Sequence, residues 1–206
     1  MKPYIITIAR QYGSGGKTVG KMLADRLGIP FYNREIITMA SEDSGVNAML
    51  FSDERLKSDF IARLRARYRG DMPVPNDSSK SYLKDEALFS YQVKIIERLA
   101  DQGPCVLIGR CADYALKDRD DVINLFITAP LENRIKRVAA RNSISESEAK
   151  DRIKKTDKSR ASYYNYYSAK DWGDAKSYDL CIDSSLLGID GTVELLKDLI
   201  RIKDIK

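Results

Sequence analysis

Residues 4–28 read YIITIARQYGSGGKTVGKMLADRLG, and the succession of residue types in this stretch decides the fold. Residues 4–10 are a short, largely β-branched apolar run of the kind that forms a buried strand. The run stops at Gly13-Ser14-Gly15-Gly16. A helical pattern follows, with Val19, Met22, Leu23 and Leu27 recurring at three- and four-residue steps until Gly28 and Pro30 end it. Strand, glycine turn and helix together are the setting of a phosphate-binding loop, in which glycines let backbone N–H groups converge on phosphate oxygens at a helix N-terminus. The Walker A pattern G-x-x-x-x-G-K-[ST] is met at Gly16, Lys17 and Thr18, with Gln11 where its leading glycine would stand. A dinucleotide-binding turn fits less well, because it needs glycine at Thr18 and an acid where Asn33 stands.

The alternation continues outward along the chain. Residues 29–32 are a second, short strand candidate, followed by a helix through Glu35, Ile36, Ile37 and Met39. Residues 53–68 have a helical pattern, whereas 69–82 (RGDMPVPNDSSKSY) read as a loop. A long helix is expected over about 83–100, buried-type strands at Cys105–Ile108 and Val122–Thr128, and a helix over 131–141. Ser145 and Glu148 have the spacing of a capping box that opens another, basic helix. Residues 178–182 are the last strand candidate and 192–202 the closing amphipathic helix. Strands separated throughout by helices imply βαβ units, and so an α/β fold whose parallel sheet is covered on both faces. With 206 residues and no internal repeat, a single domain over 1–206 is expected. The segment 134–177, poor in large aliphatics and rich in tyrosine, reads as an appendage closing over the sheet.

Composition removes whole classes of chemistry. The chain has no histidine, which excludes Ser-His-Asp and Cys-His catalysis, histidine-ligated zinc or haem, and imidazole bases. Cys105, Cys111 and Cys181 contain no CxxC pair and read as reduced, packed thiols, not as a disulfide framework or zinc ribbon. No stretch approaches the roughly 18 apolar residues of a membrane span, and the N-terminal residues lack the pattern of a signal peptide. The expectation is therefore no membrane partner and a cytoplasmic location. The net charge of +5 is mild, but ten basic residues meet only four acidic ones between Arg134 and Arg160, so the surplus lies in the appendage.

Taken in order and spacing, ITIARQYGSGGKTVGKMLADRLGIPFYN, VLIGRCADYAL, LFITAPLENRIKRVAAR, DKSRASYY and YDLCIDSSLLGIDGTVELL resemble the cytidylate kinase-like branch of the P-loop nucleoside monophosphate kinases. The resemblance runs over essentially the whole chain. It implies a three-layer P-loop NTPase fold with a five-stranded parallel sheet of order 2-3-1-4-5, an acceptor-binding insertion over about 33–82 and a basic helical lid over about 134–177. It also implies ATP and magnesium as cofactors and nucleotides as substrates, the γ-phosphate of ATP passing to a (d)CMP-type acceptor. The chain departs from the family pattern at several places. Against loops reading GPSGAGKGT, the first glycine falls on Arg10 and the lysine on Gly16, with the basic side chain one place later at Lys17. Either the loop has slipped by one residue or the phosphate lysine is displaced. Asn33 stands for an aspartate, Met39 for an acceptor-site arginine and Ile108 for the acid that organises magnesium. These departures leave open a second reading, a nucleotide-binding regulatory module with weak or no kinase activity.

Phosphoryl transfer needs in-line placement of two anions and neutralisation of charge, which lysine, arginine, magnesium and loop amides supply without histidine. On this reading Gly13, Ser14, Gly15 and Gly16 surround the β-phosphate, Lys17 reaches the β- and γ-phosphates and Thr18 ligates magnesium. Arg110, just past a strand's carboxyl end, is assigned to the acceptor phosphate or base and to catalysis, the competing reading being a surface ion pair with Asp113. Arg34 is a second candidate for the acceptor phosphate. Arg134, Arg137 and Arg141 share a helix face, and Arg134 and Arg137 are expected on the triphosphate. Lys158 and Arg160 are catalytic candidates by analogy with the family's DRNRA-like lid motif, and Asp157 is expected to pair with one of them or to help hold magnesium. Tyr163, Tyr164, Tyr166, Tyr167 and Trp172 are read as packing of the lid helix on the sheet or on a second subunit, which leaves a homo-oligomer open. A nucleic-acid face built from them is disfavoured.

Overall fold

The computed structural model describes residues 4–45 and 78–204. In chain order the elements are β1 (Ile5–Arg10), α1 (Gly16–Leu27), β2 (Phe31–Tyr32), α2 (Glu35–Ser44), α3 (Ser78–Asp101), β3 (Cys105–Ile108), α4 (Ala112–Ala115), β4 (Val122–Thr128), α5 (Leu131–Asn142), α6 (Glu146–Ser168), β5 (Leu180–Asp183) and α7 (Ser184–Asp204). The five strands form one parallel sheet in the order β2-β3-β1-β4-β5, the order implied by the family resemblance. The central strand is β1, which pairs with β3 from Ile5↔Cys105 to Ile8↔Ile108 and with β4 from Ile5↔Val122 to Arg10↔Ile127.

The two-residue period of β1 divides the core between the two faces of the sheet. Ile6 and Ile8 pack with Val19 and Leu23 of α1 and with Val193 and Leu196 of α7. Ile5, one residue out of phase, packs on the other face with Ile36 and Ala40 of α2 and Ile95, Ile96 and Leu99 of α3. Such side chains, buried completely, contribute about 1.5–3 kcal/mol each relative to exposure, so the central strand and the loop that leaves it stand on the most stable part of the molecule. At that loop β1 hands over directly to α1.

The basic segment forms the pair α5 and α6. The capping box is present: Glu148 N–H donates to Ser145 Oγ at 3.2 Å and Ser145 N–H to Glu148 Oε2 at 3.0 Å. Ala149 and Ile153 of α6 pack on Val138 of α5, with Tyr12 from the glycine loop beside them. Further along α6, Tyr163 and Tyr164 pack with Cys111, Phe89 and Trp172, and the rings of Phe89 and Tyr167 stack at 3.9 Å. The tyrosine cluster thus joins the helix to the sheet side of the molecule.

Three boundaries differ from the sequence reading. Ser78 to Tyr82, expected as the end of a loop, are already helical, because serine and lysine cost a helix little and later turns of α3 bury Leu88, Ile95 and Leu99. The last strand is Leu180–Asp183; Tyr178 precedes it and packs its ring on Phe126, with centroids 5.0 Å apart. The closing helix starts at Ser184, not Thr192, and is broken at Gly188 (φ 68°, ψ 179°), so its first turn carries no amphipathic signal. The helix expected over 53–68, the loop at 69–77 and most of the 33–82 insertion lie outside the described residues.

Candidate active site

Between β1 and α1 the chain turns through Gly13 (φ 83°) and Gly15 (φ 84°), both left-handed. Neither position has room for a side chain: a Cβ on Gly13 would lie 2.8 Å from Val138 Cγ2 and 3.0 Å from the Arg134 carbonyl, and one on Gly15 would overlap Ile189. Three consecutive carbonyls are fixed from outside the loop. Tyr12 O accepts from Arg134 Nη1 at 3.3 Å, Gly13 O from Arg137 Nη1 at 2.9 Å, and Ser14 O from the Ser184 hydroxyl at the start of α7. The N–H groups are distributed differently. Tyr12 N–H donates to Asp157, Ser14 N–H to Gln11 O and Gly16 N–H to Ser14 Oγ, whereas those of Gly13, Gly15, Lys17 and Thr18 have no acceptor among the described residues. Four unpartnered N–H groups around a helix N-terminus form a cradle for an anion.

Gln11 occupies the place of the Walker glycine because its side chain has work to do. Gln11 Oε1 accepts from the Thr128 hydroxyl and, at 3.4 Å, from Ala129 N–H, which ties the start of the loop to the end of β4. Tyr12 is flanked by two guanidinium groups, Arg141 at 5.4 Å and Arg160 at 5.6 Å from its ring centroid.

The arginines expected on one face of α5 do converge on the loop, but Arg134 is enclosed, at 8% exposure, by Tyr12 O and by Asp157 Oδ2 at 2.6 Å. Asp157, expected to pair with Lys158 or Arg160 or to help hold magnesium, pairs instead with Arg134 and accepts from Tyr12 N–H at 2.7 Å. The carboxylate reaches them because it lies one turn before Arg160 on the α6 face turned toward the loop. Lys158 is exposed on α6. Arg160 is half-buried and donates to the carbonyl of Arg10 at 3.0 Å.

Beyond β3 the backbone takes three left-handed residues in succession: Gly109 (φ 70°), Arg110 (φ 61°) and Cys111 (φ 52°). For arginine and cysteine this conformation costs of order 1–2 kcal/mol each, and such strain concentrates at functional sites. It places Arg110 with Arg10, Arg160, Asp113, Tyr164 and Trp172 around a small, partly open cleft at the carboxyl ends of β1 and β3. Asp113 Oδ2 accepts from the Tyr164 hydroxyl at 2.7 Å. Burial pushes the Asp113 carboxyl above the usual carboxylate range, and the Tyr164 hydrogen bond only partly offsets that.

Lys17 and Thr18 are exposed on the first turn of α1, and Arg34 is exposed at the start of α2. Slight burial pulls the Glu35 carboxyl upward, but the N–H groups of Asn33, Glu35 and Arg34 and the positive charge of Lys17 outweigh it, leaving its pKa below the ordinary value. Sequence reasoning noted Arg10 only as a departure, where the family's first loop glycine falls, and did not assign it to the site.

The sequence matches the Cytidylate kinase-like family over residues 5–186. A cytidylate kinase from Methanosarcina barkeri is 30% identical over 181 residues, covering 87% of this chain and 86% of that protein. A cytidylate kinase from Ignicoccus hospitalis is 24% identical over 197 residues, covering 95% and 98%. Among solved structures, an uncharacterized protein from Eubacterium ventriosum superposes with a TM-score of 0.68 at 28% identity, covering 96% of this chain and 98% of the other. Shikimate kinase from Bacteroides thetaiotaomicron shares the fold at a TM-score of 0.54 and 14% identity, with 96% and 98% covered.

Proposed function

Because the chain belongs to the cytidylate kinase-like family and so to the phosphotransferases, we propose that it moves the γ-phosphate of ATP to a nucleoside monophosphate of the (d)CMP type. The observation that carries this reading is the loop itself, where four N–H groups have no acceptor among the described residues and Arg134 and Arg137 of α5 hold the neighbouring carbonyls. The amides of Gly13 to Thr18 receive the phosphates of ATP, and Arg134 and Arg137 hold the loop carbonyls away from them. Arg110, with Arg34 on the far side of the sheet edge, meets the acceptor phosphate. Arg160 of α6, which lines the cleft, neutralises the oxygens of the group in flight, and Lys17, exposed on the first turn of α1, reaches the phosphates of ATP.

The residues fit magnesium only as an ion delivered by the nucleotide. Thr18 offers an exposed hydroxyl, and among the described residues no three acidic, cysteine or histidine side chains gather into a cage. Magnesium bound with ATP would supply charge neutralisation at the phosphates, and the Thr18 hydroxyl is the group that would ligate it. No described helix is long and apolar enough to cross a membrane. On this reading the enzyme works where its nucleotide substrates are, in the cytoplasm.

The test is an assay of purified protein with magnesium-ATP and, separately, CMP, dCMP, UMP, AMP and GMP, with nucleoside diphosphates resolved by chromatography. CDP or dCDP formed above a no-enzyme control supports the assignment. ATP binding by calorimetry with no diphosphate from any acceptor would replace it with the binding-module reading.

A further inference from the structure

On the reading that the loop holds the phosphates of ATP, we propose that Arg10 is the side chain that contacts the transferred phosphoryl group, taking the place of a lysine at position 16. The two positions compete for one space. Gly16 opens α1, and a Cβ there would lie 2.6 Å from Arg10 Cβ, 3.2 Å from Arg10 Cγ and 3.1 Å from Ile127 Cβ. Real Cβ atoms do not approach that closely, so side chains cannot stand at both 10 and 16 in this backbone. Loops of the GPSGAGKGT type carry glycine at the first position and lysine at the second. This chain carries the reverse, Arg10 and Gly16.

The arginine is long enough to deliver its charge to the same neighbourhood. Its stem crosses the first turn of α1, and its head reaches Gly109, where Nη1 occupies the volume that a Cβ would need. The second glycine thus makes room for the head as the first does for the stem. The head lines the cleft with Arg110 and Arg160, and Arg160 is locked to the carbonyl of Arg10 itself at 3.0 Å. Lys17 is exposed on the first turn of α1 and is not among the residues that line this cleft. The cations that line the cleft at the end of β3 are the guanidinium groups of Arg10, Arg110 and Arg160, and Arg10 is the one that springs from the loop's own strand.

The experiment is calorimetric titration with magnesium-ATP and with CMP, together with initial rates, for wild type, Arg10→Met, Arg10→Lys, Arg10→Gly and the double variant Arg10→Gly/Gly16→Lys. Methionine keeps the stem and removes the charge. Expected for Arg10→Met are an ATP Kd raised at least tenfold, a CMP Kd within twofold of wild type and a kcat lowered about 100-fold, the scale of one lost transition-state donor. The double variant should regain at least tenfold of the rate lost in Arg10→Gly. The inference is overturned if Arg10→Met keeps ATP affinity and rate within twofold, if ATP and CMP affinities fall together, or if the double variant gains nothing. Should the glycine variants not fold, Arg10→Lys against Arg10→Met decides it, with lysine retaining most of the ATP affinity. If the wild type binds ATP but phosphorylates no acceptor, the proposed function fails while the ATP arm still judges Arg10; if it binds no ATP, both fail.

Discussion

Arg134 and Asp157 form the most deeply covered ion pair among the described residues, with Nη1 2.6 Å from Oδ2 and only 9% and 17% of the two side chains exposed. The other carboxylate oxygen takes Tyr12 N–H at 2.7 Å, so one acid joins α6 to α5 and to the phosphate loop. Breaking a buried pair leaves an uncompensated charge, at a cost of about 3–5 kcal/mol. Asp157→Asn should lose about that much in urea unfolding. Arg134→Met/Asp157→Leu, which removes both charges, should recover most of it. Equal losses in the single and double variants would contradict this account.

The glycine loop supplies a paired comparison. Gly13→Ala forces a left-handed alanine against Val138 and the Arg134 carbonyl, whereas Gly28, also left-handed at φ 66°, has no described residue within 4 Å of the place its methyl group would take. Gly28→Ala should cost about 1 kcal/mol and leave ATP affinity unchanged. Gly13→Ala should weaken ATP at least tenfold by titration, and equal affinities for the two variants would show that the loop tolerates the distortion.

Gln11 bridges the loop to β4 through Thr128 and Ala129. Gln11→Ala removes a side-chain acceptor worth about 1 kcal/mol, which for a chain of this size lowers the melting temperature by about 2–4 °C. ATP affinity should fall with it, because the first residue of the turn loses its tether; scanning calorimetry and titration together check both parts.

Asp113 gives a pH signature. Its folded pKa is raised, chiefly by burial, while in the unfolded chain it ionises near about 3.9. Its contribution to folding is therefore fully present below that unfolded value and is lost as pH rises through the folded one. Asp113→Asn has no proton to lose. Relative to wild type it should gain stability as pH climbs from 4 toward 8, read from urea midpoints, and a difference independent of pH would refute the assignment.

The thiols separate by exposure. Burial pushes the Cys105 thiol up to about 11, and Cys111 is also buried, whereas Cys181 is exposed. Iodoacetamide on the folded protein should label Cys181 first, with Cys105 and Cys111 following only on unfolding, as peptide mass mapping would record.

The first strand, turn and helix were legible because their signals are local: an apolar run, clustered glycines and a three-four period in adjacent stretches. The sheet order came instead from family resemblance, since nothing local in β5 says which edge it joins. The start of α7 was hidden by Gly188, which interrupts its helical pattern after one turn. Asp157 was misassigned because Lys158 and Arg160 are its neighbours in sequence, whereas Arg134 becomes its neighbour only when α5 packs on α6. Arg10 was seen as a departure from the family loop but given no role, because the absence of a side chain at Gly16 acquires meaning only when the strand end is seen to fill that space.

Ser184, which accommodates the carbonyl of Ser14 through its hydroxyl, lies 170 residues further along the chain. During synthesis the amino-terminal turn leaves the ribosome long before that hydroxyl exists, so the nascent chain carries the right letters without the right shape. On the proposed function, nucleotide meets its complete cradle after translation has passed the fifth strand, so ligand capture would be a late seal on a finished fold and not an early guide to it.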